Sequence, residues 1–105
     1  MTACDLDGYR KLAGKARSIA YRTVPAKVVV AEPFVVEIAI CPGAPLAAAN
    51  ASMPEHRHGM NYKPSVRATG DGRYRAEGWV FHMPGRWEFA FEAGGERYTD
   101  SLRLE

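Results

Sequence analysis

The chain has 105 residues, enough for one hydrophobic core and too few for two, and 47% hydrophobic against 25% charged residues marks a globular composition rather than a disordered one. Its 14 basic and 12 acidic residues leave a net charge of +2, and the basic residues are spread along the chain. There is no basic stripe to follow a phosphate backbone, so nucleic acid is not an expected partner. The most apolar stretch, Val28 to Ile40, is broken by Glu32, Pro33 and Glu37, which excludes a membrane span.

In chain order, Met1 to Gly8 lacks the apolar centre of a signal peptide, leaving a cytosolic protein or a mature exported chain. Cys4 and Cys41 are the only cysteines, with no C-x-x-C spacing and no further thiols to complete a zinc site. They read as one disulfide tying the N-terminal segment to the end of a strand, worth roughly 3–4 kcal/mol by loop-closure entropy. Two unrelated reduced thiols are the alternative; a bridge favours a periplasmic or otherwise exported protein. Within a single domain spanning 1–105, residues 1–15 form an N-terminal extension in which Leu6 to Lys15 is expected to hold one short helical turn, limited by Gly8 and Gly14.

From Ala16 the pattern turns to β. Ile19 and Tyr21 alternate with Ala20 and Arg22 up to Val24-Pro25, and Lys27-Val28-Val29-Val30 is a β-branched run ended by Glu32-Pro33. Phe34, Val36, Ile38 and Ile40 share one face in the clearest period-2 signal of the chain, which Cys41-Pro42-Gly43-Ala44-Pro45 ends. Leu46 to Ser52 is alanine-rich and reads as an irregular strand, since neither a cap nor a charged face supports a helix. Ser65 to Thr69 and the strand from Arg73 flank the hairpin signal Gly70-Asp71-Gly72.

Beyond Gly78 the large residues Trp79 and Phe81 fall on what had been the polar phase, so a one-residue bulge at Gly78 is expected to turn them inward and leave His82 outside the core phase. Met83-Pro84-Gly85-Arg86 carries proline and glycine where a type II turn needs them. Trp87, Phe89 and Phe91 face inward on the next strand, Gly94-Gly95 turns the chain, and Tyr98, Leu102 and Leu104 mark a last strand. About seven short strands predict an all-β fold, a β-sandwich of immunoglobulin or Greek-key type.

The three histidines, His56, His58 and His82, and the three internal methionines, Met53, Met60 and Met83, all fall within 53–60 and 82–83. In an extended segment His56 and His58 project to the same side and can share an ion, with Gly59 giving the backbone freedom to fold round it. Imidazole suits copper, zinc and nickel, whereas thioether is a soft donor that selects copper, Cu(I) above all. Each methionine taken alone has a structural reading as a core gap-filler, and Met83 as a turn residue packed on Trp87. Arg57, Lys63 and Arg86 read as solvated charges.

Met53-Pro54-Glu55-His56-Arg57-His58-Gly59-Met60 and Phe81-His82-Met83-Pro84-Gly85-Arg86-Trp87 resemble the M-P-x-H-x-H-G-M and F-x-M-P-G-x-W signatures of the YtkA-like (FixH-related) bacterial domains. The resemblance covers the chain from about Lys27 onward. It implies an immunoglobulin-like sandwich similar to small periplasmic copper-resistance proteins, and a role in copper handling or in supplying copper to respiratory oxidases. Many members have glycine where Arg57 stands, a position that is not a ligand.

Three functions follow in order. The first is a periplasmic copper carrier or chaperone, binding Cu(I) or Cu(II) and exchanging it with a copper-donating or copper-receiving protein. The second is an immunoglobulin-like interaction module without metal. The third is a zinc enzyme holding its ion through three histidines, for which only Glu55 lies beside the ligands as an acid or base, more readily read as a solvated charge.

Overall fold

Alternation of large apolar with small or polar residues dictates most of the strands. The computed structural model describes Cys4 and residues 6–105. Among these it forms nine strands: β1 (Arg10–Ala13), β2 (Ser18–Val24), β3 (Pro33–Cys41), β4 (Leu46–Met53), β5 (His58–Gly59), β6 (Ser65–Gly70), β7 (Arg73–Val80), β8 (Gly85–Ala93) and β9 (Glu96–Leu104). They make two antiparallel sheets, one ordered β1-β2-β3-β7-β6 and the other β5-β4-β8-β9. Their inner faces meet in one core, so the fold is the expected β-sandwich.

The core is aromatic at its centre. Trp79, Phe81, Trp87 and Phe91 are fully buried, and Phe81 stacks on Trp87 with ring centroids 4.3 Å apart. Phe34 meets Phe81 edge-on at 5.0 Å, an arrangement the ring quadrupoles favour.

The bulge expected at Gly78 is present. Phe34 pairs with Trp79 and Val36 with Ala76, so two positions of advance on β3 face three on β7, and Gly78 adopts φ +92°. The extra residue restores the phase of Trp79, placing it and Ala76 on the same buried face.

Two local expectations fail. Leu6 to Lys15 holds no helical turn; Arg10–Ala13 instead pairs with Ser18–Tyr21 as β1, and Arg10 and Tyr21 both bond Asp100 of the other sheet. A full ladder plus this cross-sheet link outweighs one isolated helical turn, whose nucleation is unfavourable. Lys27 to Val30 is a loop rather than a strand. Its valines Val28 and Val30 pack against the core from that loop, and Ala31 N–H donates to the Phe81 carbonyl at 2.8 Å. With β1 and the two-residue β5 added, the strand count rises from about seven to nine.

Cys4 and Cys41 are bridged, their Cα atoms 5.9 Å apart. The bridge holds the N-terminal segment over Ala20 and Ala39 on the outer face of the larger sheet, with Leu6 and Tyr9 packed alongside.

Antiparallel register decides which loops meet. Met53 ends β4 where Gly85 begins β8, and Val80 ends β7 opposite Pro33, the start of β3. The 25–32 loop, the 54–57 turn, the 60–64 connection and the 81–84 turn therefore gather at one end of the sandwich. The disulfide and the hairpins at 71–72 and 94–95 occupy the other.

Candidate metal centre

Both segments singled out from the sequence lie at the first of these ends. β4 is held by β8 through Ser52 opposite Glu88, and its last residues pair outward with β5, Ser52 with Gly59 and Met53 with His58. The chain reverses at 54–57, His56 N–H donating to the Met53 carbonyl at 3.1 Å. Arg57 takes the left-handed conformation there, φ +55°.

The local geometry differs from the extended H-x-H expected. Only His58 sits on a strand, and His56 lies in the turn. The backbone freedom assigned to Gly59 is supplied at Arg57 instead, because Gly59 is committed to the ladder with Ser52. The two imidazoles still end near each other. Their ring centroids are 6.2 Å apart with planes 26° from parallel, and both side chains are exposed. Two metal–nitrogen bonds of about 2.0 Å each, together with the ring radii, span a gap of this size.

Met53 is fully buried in the core. Its Cε lies where a side chain on Gly85 would begin, 2.6 Å from the position of a Cβ, and Gly85 itself has φ +127°. Glycine at 85 is thus required twice, once for the backbone and once for the methionine methyl. This contact joins the two segments directly. A second link is loose, Arg86 Nε to a Glu55 carboxylate oxygen at 3.9 Å.

On the 81–84 turn, His82 is half-buried with its ring edge-on to Trp87 at 5.5 Å. Trp87 Nε1–H donates to the Met83 carbonyl at 3.0 Å, so the indole fixes the turn from beneath. His82 Nδ1 is buried without a hydrogen-bond partner. Such an orphan costs about 1–3 kcal/mol. Met60 and Met83 are half-buried against the edge of the core.

The arrangement brings together His56 with His58, and Met53 with Gly85 behind His82 and Met83. It does not place three of the His, Cys, Asp and Glu side chains within reach of one ion among the described residues. Imidazoles with thioethers beside them are a donor set that fits a soft ion better than a hard one. Sequence reading missed the Trp87 indole bond to the Met83 carbonyl and Gly85 as the seat of Met53. Their signal is the P-G-R-W run, which the sequence reading takes as a turn, as a packing partner for Met83 and as part of the F-x-M-P-G-x-W signature.

No family model, no curated protein and no solved structure matches this chain.

Proposed function

We propose that the protein is an exported copper-binding protein of the carrier or chaperone type, with the ion held at the His/Met end of the sandwich. His56 and His58 form the accessible nitrogen pair. His82, Met60 and Met83 supply the neighbouring nitrogen and sulfur donors, and Met53, fully buried, is the donor furthest from solvent. The observation that carries this reading is the strand register, which gathers every histidine and every internal methionine at one end, with Met53 against Gly85 at the start of β8. Thioethers among imidazoles favour copper over zinc, and Cu(I) over Cu(II). The Cys4–Cys41 pair fits an oxidising, periplasm-like compartment, and the likeness of the two motifs to YtkA-like domains points the same way. A carrier of this kind exchanges its ion with a copper-donating or copper-receiving protein.

Competition titration of Cu(I) against a chromophoric chelator tests the proposal. The wild-type chain takes up one equivalent tightly, and His56→Ala/His58→Ala weakens it by more than about 100-fold, beyond what loss of an outer-shell contact costs. Equal and weak binding by both proteins ends it. A second reading, an immunoglobulin-like interaction module without metal, is favoured by the separation of His82 from the His56–His58 pair. Metal-independent binding to a partner protein supports that reading.

A further inference from the structure

The described residues leave four large apolar side chains exposed: Val24, Val29, Tyr62 and Val66, with Tyr62 at 73%. All four belong to the half of the sandwich that carries the histidines. Val24 ends β2, Val29 stands on the 25–32 loop, Tyr62 on the 60–64 connection, and Val66 is the second residue of β6. Among the described residues the disulfide end has none. Three of the four have a cation within two positions, Lys27 for Val29, Lys63 for Tyr62 and Arg67 for Val66, whereas Arg22, two residues before Val24, is paired with Glu37.

Lys27, Arg57 and Lys63 are exposed at this end and make no ion pair among the described residues. Glu32 and Glu105 are its exposed, unpaired carboxylates, and Glu55 faces Arg86.

From this we infer that the histidine-bearing end of the sandwich docks on a membrane surface rich in anionic headgroups, its loop tips dipping into the interface and its lysines meeting the phosphates. Val29 and Tyr62 on two loops, with Val24 and Val66 on two strands, are too small and scattered for the buried centre of a protein interface, which needs a contiguous packed patch of large side chains. A lipid interface demands no shape complementarity. It accepts isolated apolar tips, and tyrosine with its apolar ring and polar hydroxyl is enriched there. Basic residues beside those tips supply the remaining attraction to an anionic leaflet. A second copy of the chain is a poor occupant, because it would bring lysines against lysines. The inference does not depend on the metal.

The test uses the metal-free chain with vesicles of phosphatidylcholine alone, or of phosphatidylcholine and phosphatidylglycerol in equal parts, read by co-flotation at low salt. Binding is expected only to the anionic vesicles, falling as salt rises. Lys27→Glu/Lys63→Glu weakens it by more than about ten-fold, and Tyr62→Ser by several-fold, while Arg97→Glu, at the disulfide end, changes it by less than about two-fold. Circular dichroism confirms that each variant is folded. The inference is overturned if the wild type fails to float with anionic vesicles, if Arg97→Glu weakens binding as much as the lysine reversals, or if Tyr62→Ser leaves it unchanged. A failure here leaves the copper titration untouched, and the reverse also holds.

Discussion

His82 carries a stability cost that its surroundings do not offset. Its Nδ1 is buried and unpartnered, while its ring rests on the edge of Trp87, whose own N–H is committed to the Met83 carbonyl. An apolar residue of similar size removes the orphan. His82→Leu is therefore expected to stabilise the metal-free protein by about 1 kcal/mol in urea denaturation while weakening Cu(I) uptake. A loss of stability would show that Nδ1 has a partner in solution. Gly85 is the other residue on which the site depends. Gly85→Ala sets a Cβ against the Met53 methyl at a φ that L-residues avoid, and should destabilise by about 2 kcal/mol. A change within about 0.5 kcal/mol would mean that Met53 has free room to move.

Among the elements, the bulge in β7 was legible from the sequence because Trp79 and Phe81 broke the phase set by Tyr74 and Ala76, and only an inserted residue at Gly78 mends it. The bulge also makes a sharp prediction. Gly78→Ala keeps the register and pays only the left-handed backbone strain, about 1–2 kcal/mol, since no atom lies within 4 Å of the added carbon. Deleting Gly78 turns Trp79 and Phe81 outward and should abolish the cooperative thermal transition. Survival of that transition would contradict the register. β3 and β8 were equally legible, because Phe34 to Ile40 and Trp87 to Phe91 alternate strictly. The 27–30 run was misread because β-branched residues also suit a loop that lays Val28 and Val30 on the core. β1 was missed since Arg10 to Ala13 has no apolar alternation, and its place is fixed by Tyr21 and Asp100, far away in sequence. The gathering of the histidines had the same limit. Their confinement to two segments was visible, but their meeting at one end depends on β4 pairing with β8, a long-range register.

For the whole molecule, stability has two separable sources outside the core. The Cys4–Cys41 bridge closes a separation of 37 residues, so its removal by Cys4→Ser/Cys41→Ser should lower unfolding free energy by roughly 3–4 kcal/mol without unseating the far end where the histidines lie. Unchanged stability would deny the bridge its structural part. Charge supplies the second source. Glu37 is held below its ordinary value of 4.5 by hydrogen bonding to Arg22, with Arg75 and Tyr9 adding to it. Glu96 is lowered by the Tyr98 hydroxyl and by the Ala16 and Lys15 amides. A carboxyl depressed in the folded state contributes stability that is whole above its unfolded value and is lost as pH falls through its folded value. The urea midpoint should hold level from pH 7 down to about 5 and decline below about 4.5, and Glu37→Gln should shallow that decline.

The sandwich presents a histidine end and a disulfide end, and we propose that the two histidine segments at the first act as a single copper site. Nuclear magnetic resonance of the chain titrated with diamagnetic Cu(I) tests this most directly. The imidazole signals of His56, His58 and His82 and the methyl signals of Met60 and Met83 should shift together and saturate at one equivalent. Shifts confined to His56 and His58, with His82 and both methionines unmoved, would contradict it.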